Sequence, residues 1–319
     1  MQQKKLPTTP VRLRLLVKKY LLTPSWLPPQ KRAQRRDAAS GRVLMDFMQK
    51  HLLAAANAVA VTSPQKDDTG ERIFSIWLQG EANAPEIVRS CFFSIREHCS
   101  QPLVVLDGKT IFDWISLPQP IVDKYRAGSI KPAQFTDICR VELLHRYGGY
   151  WLDATCFVSA PIPSFMTEQD FFVFMAGEKV RWGYSFIQNC FIRARKGAYL
   201  LEAWRAMILD YWLRADRSVD YFQHQVMFRT LVTDNPAARE AFAAMPQLDQ
   251  YPTHLYQCEY KDLPFDPEVL RKAAGEGFFY QKTTYRDLDD IVPGSFADRI
   301  VHWEATRDPG TGPESGRPV

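Results

Sequence analysis

Residues 132–163 constrain this chain more than any other stretch, because they read as a buried helix, a glycine pair and a buried strand in immediate succession. Pro132 suits a first helical turn, where its missing N–H costs nothing. Phe135, Ile138, Val141, Leu143 and Leu144 then cover most of a helical circumference, the pattern of a helix enclosed on all sides. Gly148-Gly149 ends it, since glycine enters the left-handed C-cap geometry without a Cβ penalty. Tyr150 to Val158 is aromatic and β-branched enough for a central strand, and Pro161 and Pro163 stop it.

Three polar residues interrupt this apolar frame. Asp137 and Arg140 are one helical turn apart and share a face. Asp153 lies within the strand, where a carboxylate requires a partner or a metal. The residues alone leave two readings open. Asp137 and Arg140 can be an internal ion pair with Asp153 capping a neighbouring backbone, all structural. Alternatively the three charges form a site.

The flanking sequence supplies an α/β frame. Ile73 to Trp77 reads as a strand, Ala84 to Cys99 as a helix and Leu103 to Leu106 as a second strand, a βαβ order that implies a parallel sheet. Helix follows Pro118 and Pro120 as far as Tyr125. Phe171 to Met175 and Ser185 to Arg193 are further strands, the latter interrupted by Asn189. Ala198 to Arg214 is an aromatic-rich helix. Another opens at Asp220 to Gln225, where His224 is expected to be packed or hydrogen-bonded rather than a ligand. Phe278 to Tyr285 and Val301 to Glu304 read as closing strands, and residues 307–319 as a disordered Gly/Pro-rich tail. Glycine-rich phosphate loops are absent, so a bound nucleotide would be held by side chains and a metal.

Charge is divided unevenly. Within residues 1–60, twelve Lys or Arg stand against Asp37 and Asp46, a local excess of +10, although the whole chain carries only +4. Residues 1–66 therefore read as a basic helical extension, with helix from Val11 to Leu22 and again from Arg42 to Ala60. Pro64 to Gly70 follows as a linker. The extension either packs on residues 67–306 with its charges in solvent, or lies on an anionic membrane. Its basic and aromatic residues match no nucleic-acid reader, so no nucleic-acid partner is expected. No apolar run approaches the ~20 residues of a spanning helix. The six cysteines lack metal-type spacing and read as reduced core thiols of a cytoplasmic protein.

Thr136-Asp137-Ile138-Cys139-Arg140, then Leu143-Leu144-His145-Arg146-Tyr147-Gly148-Gly149-Tyr150-Trp151-Leu152-Asp153-Ala154-Thr155, resembles the capsular polysaccharide synthesis protein family. That family is related to the glycosyltransferases of family 32 and, more distantly, to the clostridial glucosylating toxins. The likeness runs from about Ile73 to about Asp287. It implies a GT-A-like, Rossmann-like fold with a mostly parallel sheet. It also implies metal-assisted, retaining sugar transfer from a nucleotide-sugar donor to a saccharide or lipid-linked saccharide acceptor. By the same resemblance Asp153 binds Mn²⁺ or Mg²⁺, Asp137 receives donor hydroxyls, and Arg140 faces the sugar or diphosphate. Trp77 stacks on the nucleotide base, and Gln79, Trp151 and Thr155 complete the donor site. The chain departs from its relatives at two points. Thr155 replaces the second aspartate of the strand-end pair, and Gln281 replaces a histidine in the closing strand. These losses motivate a second class, a binding or scaffold component without turnover. A metal-dependent hydrolase would want clustered His and Asp, and the six histidines are dispersed.

Overall fold

The computed structural model describes residues 4–18, 26, 28–65, 71–177, 179, 183–286 and 290–303. In chain order its elements begin with α1 (Thr8–Leu16), α2 (Pro29–Asn57), β1 (Ile73–Ile76), α3 (Glu86–His98) and β2 (Leu103–Leu106). They continue with α4 (Ile111–Trp114), α5 (Gln119–Arg126), α6 (Pro132–Tyr147), β3 (Gly149–Leu152), β4 (Cys156–Val158), α7 (Ser164–Thr167) and β5 (Phe171–Met175). Then come β6 (Ile187–Ala194), α8 (Tyr199–Arg214), α9 (Gln223–Asp234), α10 (Pro236–Ala244), α11 (Pro267–Gly275), β7 (Tyr280–Lys282) and α12 (Phe296–Val301). The chain divides into two compact units. One draws on Met1–Gly80, Gln101–Asp153 and Pro163–Tyr251, the other on Glu81–Ser100, Ala154–Ile162 and Pro252–Val319.

The first unit is a mixed α/β layer structure around a sheet of order β2-β1-β3-β6-β5. β2, β1 and β3 are parallel, and β6 pairs antiparallel with both β3 and β5, so β6 alone opposes the rest. The sheet is thus mixed but mostly parallel in direction, as expected, with β6 the one reversed strand. β1 is buried along its whole length, as its Ile73-Phe74-Ser75-Ile76 sequence requires. α6 packs on β1 and β3, and α9 on β6. Arg193 of β6, wholly buried, pairs with Glu71 at 2.5 Å and donates to Thr167 O at 3.2 Å, which ties the entry to β1 into the sheet. α2 begins at Pro29, thirteen residues before the expected Arg42, because Pro28-Pro29 favours a first turn there. Its Val43, Leu44, Phe47, Met48 and Leu52 are buried, and the helix packs on α8 and α9. No helix among the described residues is long and apolar enough to cross a bilayer.

The second unit is built on the antiparallel pair β4 and β7, with Phe157 opposite Gln281. α3 lies on β4, where Ser94 Oγ accepts from Val158 N at 2.9 Å. α12 lies on α3, and Ser90 Oγ donates to Val301 O at 2.8 Å.

Two further sequence expectations are corrected. The single strand Tyr150–Val158 is two strands in two sheets, because Asp153 leaves the first sheet after donating its N–H to Cys190 O at 2.8 Å. The closing strand at Val301 is instead the end of α12, which Ser295 caps by accepting from Asp298 N at 3.2 Å. Residues 19–22, 66–70, Glu304 and the tail at 307–319 lie outside the described residues.

Candidate functional site

The helix–glycine–strand stretch delivers its charges to one point. α6 is buried on nearly every side, so Asp137 and Arg140 enter the interior with it. Gly148 (φ +67°) and Gly149 (φ +95°) then turn the chain directly into β3. A Cβ on Gly149 would stand 2.5 Å from Arg72 O, the acceptor of the Tyr150 N–H, so only glycine admits this approach to β1. β3 ends at Leu152 and Asp153 follows at the C-terminal edge of the parallel strands, where open α/β sheets hold their ligands.

Arg140 is the hub. Its Nη2 lies 3.1 Å from Asp137 Oδ1 and 3.3 Å from Asp153 Oδ1, and its Nη1 donates to Asn189 O at 2.6 Å. The guanidinium carbon sits 4.8 Å from the Trp151 ring centroid, and the Trp151 indole donates to Asp153 Oδ1 at 2.8 Å. Burial works against the Arg140 charge, but Asp137 and Asp153 outweigh it and hold the guanidinium above its usual range. β6 and α9 supply the rest. Asn189 Nδ2 donates to Asp137 Oδ1 at 3.0 Å, Gln225 Nε2 donates to Asn189 Oδ1 at 3.3 Å, and His224 Nδ1 faces Asp137 Oδ2 at 3.1 Å. Two carboxylates against one guanidinium leave the cluster with a single net negative charge.

Asp137, Arg140, Trp151 and Asp153 are therefore brought together within the first unit. Trp77 and Gln79 follow β1, which pairs with β3 so that Phe74 is opposite Trp151, and they leave the sheet at the same edge as Asp153. Thr155 belongs to the second unit, where its hydroxyl accepts from Lys282 Nζ and its carbonyl accepts from Thr283 N at 2.8 Å. Gln281 is a backbone staple there, accepting from Tyr256 N at 3.1 Å and donating to Pro252 O at 2.8 Å. Among the described residues no three His, Cys, Asp or Glu side chains converge on a common point. The described residues thus offer a cation no complete cage, though the Asp153 carboxylate, 22% exposed, could serve as a single ligand.

Sequence reasoning missed Asn189, His224 and Gln225 as members of this cluster. Their signal was weak but present, since each is a polar residue inside an apolar element and each is buried here.

The model of the family described as capsular polysaccharide synthesis protein matches residues 25–300 of the chain. No curated protein and no solved structure matches it.

Proposed function

The chain belongs to the capsular polysaccharide synthesis protein family, and from that premise we propose that it is a nucleotide-sugar-dependent glycosyltransferase of GT-A type. Its acceptor would be a growing surface polysaccharide or glycolipid, reached from the cytoplasmic face of the membrane. The observation that carries this reading is the Asp137–Arg140–Trp151–Asp153 cluster at the C-terminal edge of the sheet.

Sugar transfer asks the protein to hold the donor, neutralise the departing diphosphate and exclude water. Arg140 suits diphosphate oxygens, and its buried Nε–H has no hydrogen-bond partner among the described residues, a donor that a ligand oxygen would satisfy. Asp137 would receive donor hydroxyls. Trp151 stacks against the guanidinium, and Trp77 and Gln79 would meet the nucleotide. Because the cluster is net negative, an anionic diphosphate requires a cation beside it, and Asp153 would supply one ligand to Mn²⁺ or Mg²⁺. Such a cation, when bound, provides Lewis-acid neutralisation of the leaving group. Retention of anomeric configuration is implied by the family resemblance.

Thermal shift against a panel of nucleotide-sugars, with and without Mn²⁺ or Mg²⁺, tests the reading, since a true ligand stabilises the fold by mass action. The donor so found should be hydrolysed slowly in the absence of acceptor. Binding without any hydrolysis would favour the scaffold reading, which the neutral Thr155 and the backbone-bonded Gln281 amide support. Neither binding nor hydrolysis across the panel would remove the glycosyltransferase reading.

A further inference from the structure

His224 is 1% exposed, yet polar groups surround its ring. The Trp212 indole, from α8, donates to Nε2 at 2.8 Å. The Gln223 amide lies 3.4 Å from the same nitrogen. Gln223 Oε1 accepts from Val219 N at 2.9 Å, so its NH₂ end is the one that faces the ring. An indole N–H can only donate, so Nε2 carries no proton and the ring proton sits on Nδ1. Nδ1 in turn stands 3.1 Å from Asp137 Oδ2, within ion-pair distance but without the alignment of a hydrogen bond. A carboxylate oxygen only accepts, so a bare Nδ1 there would set two lone pairs against each other. The Nε2 end dictates the tautomer, and the charge of Asp137 beside Nδ1 favours the same one. A second indole, Trp204, donates to the His224 carbonyl at 2.7 Å and fixes the main chain as well.

The consequence falls on Asp137. Its Oδ1 already meets Arg140 Nη2 and Asn189 Nδ2, and its Oδ2 meets His224. A carboxylate offers about four acceptor positions; the two on Oδ1 are met, so the capacity that remains is on Oδ2, beside the His224 ring. We propose that His224 is a positioning residue which, as its Nδ1–H tautomer, aims the Asp137 carboxylate so that Arg140 stays presented and one oxygen lone pair is left for a hydroxyl of the donor sugar. The proposal rests on the donor-binding reading above. A residue needed only for packing would require volume here, not a tautomer set by Trp212 with its protonated nitrogen turned to Asp137.

The test uses full-length protein labelled with ¹⁵N-histidine, in which the His224 ring is identified among the six histidines by its disappearance in His224→Asn. Long-range ¹H–¹⁵N correlation should show a neutral ring protonated at Nδ1, and Trp212→Phe should move population toward the Nε2–H form. With the donor found by thermal shift, His224→Leu should lower kcat roughly tenfold to a hundredfold, the scale of a misaligned reacting group. Its KM for the donor should change by less than about threefold. His224→Asn, whose amide N–H can stand where Nδ1–H stood, should recover most of that loss. Thermal melts identify the variants that fold, and if His224→Leu does not, Trp212→Phe against His224→Asn carries the comparison. A wild-type ring protonated at Nε2, a folded His224→Leu with wild-type kcat, or no rescue by Asn overturns the proposal. If the wild type turns over no nucleotide-sugar, the donor reading falls, while the tautomer spectrum still decides whether His224 holds Asp137.

Discussion

Asp137 and Asp153 face the same guanidinium at 3.1 and 3.3 Å, but their side chains are 12% and 22% exposed and their partners differ. Asp137→Ala would leave Arg140 buried with one of its two counter-charges gone. Removing one partner of a buried pair costs roughly 3–5 kcal/mol, so this variant should lose stability as well as activity. Asp153→Asn keeps an Oδ1 acceptor for Trp151 and Arg140 and removes only charge. Its urea midpoint should stay close to that of the wild type while transfer falls about 10²–10³-fold, the scale of losing one preorganised charge-stabilising group. Full transfer by Asp153→Asn would end its assignment. A single half-buried carboxylate as cation ligand also predicts cooperation between ligands. Calorimetric titration of Mn²⁺ into the protein alone should give little heat, and clear binding once a nucleoside diphosphate is present, with the reciprocal gain required by linkage. Tight cation binding that ignores nucleotide would show that other ligands complete the site. Thiols add a pH dependence. Burial pushes Cys91 up to about 12, against the Thr283 hydrogen bond and the Lys282 charge, and burial likewise pushes Cys99 up to about 12. In the unfolded chain a thiol ionises near ~8.5. Above that value the unfolded state binds fewer protons than the folded one, so stability should fall as pH rises toward 12. Urea midpoints at pH 8 and pH 10 check the sign.

The α6–β3 junction is the element on which the site depends. Gly149 combines φ +95° with a Cβ position 2.5 Å from Arg72 O, so Gly149→Ala meets both a left-handed backbone and backbone atoms that belong to the sheet. The backbone penalty alone is about 1–2 kcal/mol, and the collision should part β3 from β1. A lower melting temperature with weakened donor binding is expected, and an unchanged melt would show that β3 can shift without consequence. This junction was legible because glycine pairs after an apolar helix have few other meanings. β2 and β5 were legible as well, being short apolar runs with clear ends. The break after Leu152 was not, because Ala154 to Val158 resumes the same apolar character and nothing local says that it pairs with β7. α12 was misread as a strand at its end, although Ser295 and Asp298 held the spacing of a helix cap. The charges at Asp137, Arg140 and Asp153 stood out against an apolar background. His224 did not, since its role depends on Trp212 and Asp137, and periodicity cannot bring those residues to it.

At the scale of the whole molecule, the basic N-terminal region divides into two parts with different roles. α2 is part of the first unit's core: besides its apolar contacts, His51 O accepts from Arg214 at 3.0 Å and Asn57 Oδ1 accepts from Asn235 at 2.8 Å. Val43, Leu44, Phe47, Met48 and Leu52 are buried, and such side chains contribute about 1.5–3 kcal/mol each. Their sum is comparable with the ~5–15 kcal/mol that separates a folded domain from its unfolded chain. A chain cut back to residue 61 should therefore fail to fold, and its loss of any membrane association would mean nothing. α1 is the part to test. Leu15 faces inward, whereas Leu13 and Leu16, one turn apart, are 62% and 54% exposed beside the exposed Arg12 and Arg14. Apolar side chains flanked by arginines suit the headgroup layer of an anionic bilayer, where each basic residue adds roughly 1 kcal/mol. The expected result is co-sedimentation of the full-length protein with anionic vesicles at low salt. It should be lost in Leu13→Ser/Leu16→Ser and weakened at 1 M salt, where the reach of a charge shrinks to about 3 Å. Because neither leucine is buried, the double variant should melt like the wild type, which separates surface binding from folding. If the full-length protein ignores anionic vesicles at low salt, the charge excess of residues 1–60 serves solvation and packing, and the acceptor must reach the Asp153 edge without help from the membrane surface.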